Sequence, residues 1–247
     1  MTTCTPTLPD RPRAAPDVHS SSAAYARRFA GAVGDYFLET QRRYVLELLQ
    51  PWPACRVLDV GGGHAQLAVP LVQAGFQVTV AGSDVICRRR LDSLLPPASF
   101  AFQACDLVRL PFPARAFDVV LGFRLLPHLE DWREAVAEMC RVARHAVIVD
   151  YADTCSFNTV SPRLFFLKRM VEHHVRPYRR FSRREVLSAV KKMGFGDPAA
   201  RPQFFLPMAL HRAARCAPLS RVVEHAARRV GLTRRFGSPV ILRVCRL

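Results

Sequence analysis

No apolar run in this sequence of 247 residues reaches the about 18 residues that a membrane-spanning helix needs. No basic stretch leading into an apolar segment opens it, so a secretory leader is not expected. Eight cysteines are present (Cys4, Cys55, Cys87, Cys105, Cys140, Cys155, Cys216 and Cys245), yet none forms a Cys-x-x-C pair. Several lie inside apolar runs, which fits reduced thiols in a cytoplasmic protein better than disulfides or zinc. The histidines show no metal-binding spacing, so no metal is expected. Lysine is confined to Lys168, Lys191 and Lys192, and Asn158 is the sole asparagine. Acids are scarce in one region only. Residues 1–154 hold 16 Arg and 16 Asp or Glu, whereas residues 155–247 hold 20 Lys or Arg against Glu172, Glu185, Asp197 and Glu224. The whole formal charge of +16 therefore sits in the last third. A GC-rich genome accounts for abundant arginine but not for vanishing acids. The asymmetry points to an acidic partner: anionic lipid, nucleic acid or a negatively charged substrate.

What is present is enough for a proper core, since 50% of the residues are hydrophobic. Residues 1–20, rich in Pro, Thr and Ser, read as a disordered tail, and 21–247 as a single domain. Residues 22–50 carry one or two amphipathic helices, ended by Pro51 and Pro53. Strands and helices then alternate: strand 55–60, helix 64–74 closed by Gly75, strand 77–81, helix 85–95, strand 99–105, strand 117–123, helix 131–143, strand 145–151. Continuous β-branched runs between helices predict an α/β, doubly wound, mostly parallel sheet with helices on both faces. After Tyr151 the rhythm changes. Two apolar and basic insertions, about 155–181 and 208–236, predict a helical cap. Between them Ser182 and Glu185 form a capping box for a helix to Met193, and 203–207 and 239–244 read as two last strands.

The densest signal is Val57-Leu58-Asp59-Val60-Gly61-Gly62-Gly63-His64-Ala65-Gln66. It reads as a buried strand entering a glycine turn and then directly a helix, whose free N–H groups would favour a negatively charged ligand group. Gln66 stands where a dinucleotide fingerprint needs Gly or Ala, and no Gly-Lys-Ser/Thr ends the loop. Neither a nicotinamide cofactor nor a nucleoside triphosphate is favoured.

This run resembles motif I of the class I S-adenosylmethionine-dependent methyltransferases. Cys105-Asp106-Leu107 and Leu110-Pro111-Phe112-Pro113 through Phe117-Asp118-Val119-Val120 resemble the small-molecule, quinone-methyltransferase-like branch. The resemblance implies S-adenosylmethionine held by Asp59, Gly61, Gly62 and Gly63. It implies a ribose contact from Asp84, a carboxylate suited to two hydroxyls, unless Asp84 caps the next helix and Ser83 serves instead. It further implies adenine contacts from Asp106 and Leu107, and a cofactor contact from Phe123. His128, in Leu125-Leu126-Pro127-His128, stands where this branch carries a histidine; it would take a proton from a hydroxyl acceptor or order the loop. Tyr25, Arg124 and Tyr151 would line the acceptor pocket.

The reaction implied is in-line methyl transfer governed by alignment and desolvation. A small or lipid-like acceptor leads, with peripheral contact to an anionic membrane through the basic insertions. An RNA acceptor is favoured by charge but opposed by the absence of Asn-Pro-Pro-Tyr after the fourth strand. A non-catalytic cofactor-binding protein is the remaining alternative.

Overall fold

Short Val- and Leu-rich runs, buried almost continuously because both faces are covered, build the sheet. In a computed structural model, which describes residues 15–156 and 179–247, seven strands form one sheet. They are β1 (Arg56–Val60), β2 (Gln77–Gly82), β3 (Phe100–Ala104), β4 (Phe117–Gly122), β5 (Ala143–Tyr151), β6 (Phe195–Phe204) and β7 (Ser238–Arg246). Their order is β3-β2-β1-β4-β5-β7-β6. All are parallel except β7, which runs antiparallel to both β5 and β6. The predicted doubly wound plan is observed. The order reverses between β1 and β4, so the loops leaving these strands diverge and open a crevice at their carboxyl ends.

Ten helices of the described residues flank the sheet: α1 (Pro16–Ser20), α2 (Ala23–Ala26), α3 (Gly31–Leu49), α4 (Ala68–Gln73), α5 (Arg89–Asp92), α6 (Trp132–Val142), α7 (Arg183–Lys191), α8 (Met208–Ala214), α9 (Ala217–Arg229) and α10 (Leu232–Phe236). Leu58, Val60, Val120 and Val147 turn to one face, where Trp132, Ala135, Val136 and Met139 of α6 and Val186 and Val190 of α7 cover them. Val57, Val80, Val119 and Ile148 turn to the other, against Val45, Leu48 and Leu49 of α3 and Leu71 of α4. A third cluster joins Phe29, Val33, Tyr36 and Phe37 to Phe204 and Ala217. The start of α3 is thereby tied to the late helices above the carboxyl edge.

Several local expectations are met. Ser182 Oγ accepts from Glu185 N at the start of α7, and Gly75 adopts φ +84 just past α4. Others are corrected. The helix after the glycine turn does not begin at His64: Gly62–His64 is a 3-10 turn, Ala65 is left-handed, and α4 starts at Ala68. Pro70 explains the delay, because it has no N–H to give to the Gln66 carbonyl. The expected helix 85–95 is a 3-10 turn at Val85–Arg88 followed by the short α5. Strand β6 begins at Phe195, well before residue 203. Gly196-Asp197-Pro198 forms an irregularity within an edge strand, where proline is tolerated. Residues 16–20, expected to belong to the tail, form α1. The first cap insertion, with His173, His174 and Tyr178, falls largely outside the described residues, as do residues 1–14. No helix among the described residues is long and apolar enough to cross a membrane.

Candidate functional site

The crevice is built where β1 ends. Gly61 takes φ +74, a conformation that suits glycine, and its N–H donates to the Ala81 carbonyl on β2 at 2.8 Å. Asp59 is fully buried, and neither carboxylate oxygen has a hydrogen-bond partner among the described residues. Burial first, and the nearby Asp150 charge second, push its pKa up to about 7. A Cβ at Gly62 would run into that carboxyl group, so glycine is required there by a close approach rather than by its dihedral angles. His64, also buried, accepts from Gln66 N through Nδ1 at 3.1 Å, and its ring is also directed at the Phe123 backbone. Burial and the Arg124 guanidinium lower its pKa to about 3, so its imidazole is neutral near pH 7.

The opposite wall comes from β4 and β5. Phe123 is packed into the core beside Leu121 and Ile148. Arg124 follows in a left-handed conformation with φ 55. Its N–H donates to Asp150 Oδ1 at 2.6 Å, its Nε to Gln66 Oε1 at 2.7 Å and its Nη2 to Gln41 Oε1 at 3.0 Å. The guanidinium also lies 4.4 Å from the Phe29 ring centroid, a favourable cation–π distance. Arg124 thus clamps α3, the glycine turn and the end of β5 into one wall. Asp150 itself is held protonated to higher pH than usual by burial, partly offset by Arg124. Next to it Tyr151 is buried against Phe181, with a hydroxyl that has no partner among the described residues. Burial raises its pKa. His128 is half-buried at the end of the 3-10 turn Leu126–His128 that follows β4.

Asp84, Asp106, Leu107 and Tyr25 each have partners of their own. Asp84 is exposed, and its carboxylate accepts from Ile86 N at 2.8 Å, capping the turn after β2. Asp106 is exposed and accepts from Val108 N at 3.0 Å, while Leu107 is buried among Leu58 and Val60. Tyr25 on α2 packs its ring against His19 and Phe29. The structure therefore brings Asp59, the three glycines and Arg124 together, with Phe123 and Tyr151 beside them, while Asp84 and Asp106 each accept from an N–H of their own loop. Sequence reasoning passed over Gln41, Gln66 as a clamp, Asp150 and Asp17. Only Asp150 had a local signal: like Asp59, it is an acid at the end of a Val- and Ile-rich strand. Among the described residues no three His, Cys, Asp or Glu side chains converge on a metal position.

The Leu110–Pro113 run is fixed by a pair on α6. Glu138 Oε2 accepts from Leu110 N at 2.8 Å, and Arg141 donates to the Leu110 and Phe112 carbonyls at 2.8 Å each. This brace delivers the chain to β4, and so sets where the crevice wall begins.

Residues 58–149 match the methyltransferase domain family. Over 95 residues the chain is 37% identical to a demethylmenaquinone methyltransferase of Deinococcus radiodurans, covering 35% of this chain and 38% of that protein. Over 110 residues it is 33% identical to a ubiquinone/menaquinone biosynthesis C-methyltransferase of Xanthomonas campestris, covering 42% and 44%. The match spans less than half the length of these curated relatives. Among solved structures, a methyltransferase of Thermotoga maritima, described as a possible histamine N-methyltransferase, shares the fold with TM-score 0.65 at 16% identity, over 93% of this chain and 99% of that one.

Proposed function

We propose that this protein is a class I S-adenosylmethionine-dependent methyltransferase that methylates a small or lipid-like acceptor, a reading supported by the methyltransferase-domain match over residues 58–149. The observation that carries this reading is the Asp59 carboxyl group, buried without a donor directly beneath Gly61–Gly63 at the strand-order reversal. A fold that leaves such a group unmet has polar capacity reserved for a ligand. The glycine turn gives the close backbone approach that a cofactor's amino-acid portion needs. These residues fit S-adenosylmethionine. Bound there, it supplies an electrophilic methyl group on a sulfonium sulfur.

The chain's own part is alignment and exclusion of water. Arg124 holds the turn, α3 and β5 at fixed separation. His128, on the loop after β4, takes the proton from a hydroxyl acceptor. Tyr25, Arg124 and Tyr151 border the acceptor's side. The quinone-related names of the Deinococcus and Xanthomonas relatives favour a small apolar acceptor.

The late helices suit an amphiphile delivered from an anionic membrane surface. On α9 and just beyond it, Leu219, Val222 and Val230 are 53%, 66% and 72% exposed, in one stripe beside exposed Arg229. The one acid in residues 205–247, Glu224, is turned inward. The same charge favours a second reading, methylation of RNA. Incubation with methyl-labelled S-adenosylmethionine and fractionated cell extract separates the two: label enters the lipid or small-molecule fraction, and the protein floats with anionic vesicles. Label in RNA alone would overturn the acceptor assignment, and no transfer to any fraction would leave a cofactor-binding protein without turnover.

A further inference from the structure

A second carboxylate stands beside the end of β2 besides Asp84: Asp17, which reaches Ser83 from 66 positions earlier in the chain. Ser83 N donates to Asp17 Oδ2 at 2.7 Å and Ser83 Oγ to Asp17 Oδ1 at 2.5 Å. Cys87 Sγ lies 3.4 Å from Asp17 Oδ2. The rest of the segment covers the glycines. A Cβ placed on Gly61 would stand 3.7 Å from Asp17 Cβ and 3.2 Å from Leu125 Cδ1, and one on Gly63 would run into Ser21 Oγ and Cys87. The faces of the turn that would cradle a ligand thus face the protein's own chain.

We infer that residues 16–22 are an intramolecular gate seated in the cofactor crevice and latched by Asp17 on Ser83, and that the cofactor binds only when this segment withdraws. The inference rests on the crevice being the S-adenosylmethionine site. It accounts for Asp17 and Ser21 standing against Gly61 and Gly63. The seat is built to be held and yet to yield. Asp17 is 2% exposed and is hydrogen-bonded by Ser83, but among the described residues no cation pairs with it. A buried carboxylate without a counter-cation keeps much of its desolvation cost, which narrows the margin favouring the closed form. Helix α1 has five residues, too few to persist without its tertiary contacts. Its Ser20 and Ser21 hydroxyls donate back to the Asp17 carbonyl, leaving the Asp17 side chain as the polar latch. Ser83 N–H and Oγ are then released to the incoming ligand when the latch opens, so a single pair of donors serves both states.

Calorimetric titration of the full chain with S-adenosylhomocysteine tests the gate. Removing the latch in Asp17→Ala raises the open fraction, and the apparent Kd should tighten about tenfold. Asp17→Cys places a thiol next to Cys87. Reduced, it should bind like Asp17→Ala; oxidised, it should lose binding and regain it with reductant, an effect absent when Cys87→Ser is added. Weaker or unchanged binding by Asp17→Ala overturns the gate, the weaker case making Asp17 a ligand contact instead. If no form binds, the proposed function fails, and the latch is judged separately by hydrogen exchange of the Ser83 amide without ligand. Slow exchange that Asp17→Ala accelerates supports the seat; unprotected exchange in the unaltered protein overturns it.

Discussion

Asp59 under the glycine turn and Glu224 in the cap are 0% and 1% exposed, yet the fold treats them in opposite ways. Glu224 accepts from Phe205 N at 2.8 Å, from Leu206 N at 2.9 Å and is paired with His211 Nε2 at 3.0 Å. His211 Nδ1 in turn meets Ser220 Oγ at 2.9 Å. Every element around it, the end of β6, α8 and α9, is tied together by that one carboxylate. Asp59 receives nothing among the described residues. A buried acid with its donors in place is a brace. One without them, at the strand-order reversal and beneath three glycines, is stability given up for a ligand. The difference separates a half that holds shape from a half that waits for chemistry.

Three substitutions break or sharpen that contrast. The largest effect belongs to Gly61→Val, which places a β-branched side chain at φ +74, close to Leu125 and Asp17. Affinity for S-adenosylhomocysteine should fall by at least about 100-fold, and retained binding would remove the crevice assignment. Glu224→Ala comes next, leaving the Phe205 and Leu206 amides and His211 without their acceptor. Urea unfolding should register a loss of about 3 kcal/mol with the cofactor Kd within twofold of the unaltered protein. A large change in Kd would mean that the cap brace and the crevice are not separate.

The third effect is a pH slope, gradual over each single pH unit. With a folded pKa of about 7 against an ordinary value of 3.8, Asp59 binds its proton more tightly in the folded state. Its contribution is full below about pH 4 and is lost as pH rises through about 7. Stability measured by urea unfolding should therefore decline over that window, by at most about 1.4 kcal/mol per pH unit. Asp59→Asn should remove this part of the slope and gain on the unaltered protein as pH rises. An Asp59→Asn protein with the same slope would place the titration elsewhere.

The alternation of strands and helices was legible because each depends on neighbours a few residues away. The Asp59–Gly63 turn was legible for the same reason: acid, strand end and glycines are contiguous. Asp84 and Asp106 were identified by type and spacing, and each also accepts a local bond from an N–H two residues on, as an aspartate before a turn commonly does. The start of α4 was misplaced at residue 64, although Pro70, which fits best in a helix's first turn, opposes a helix running from there. Strand β6 was hidden by Gly196-Asp197-Pro198, a pattern that marks turns more often than an edge strand. The Arg124 clamp left no local trace, since Gln41, Gln66 and Asp150 lie on three different elements.

By itself the sequence determined the doubly wound plan, the glycine crevice at the end of β1 and the basic character of the last third, all properties of periodicity, contiguity and composition. Tertiary structure alone decided which carboxylates face the crevice, what clamps it and what covers it. Asp17 meets Ser83 across 66 residues and Arg124 meets Gln41 across 83. Such pairings form only after the sheet has brought its strand ends together, so no short-range pattern records them.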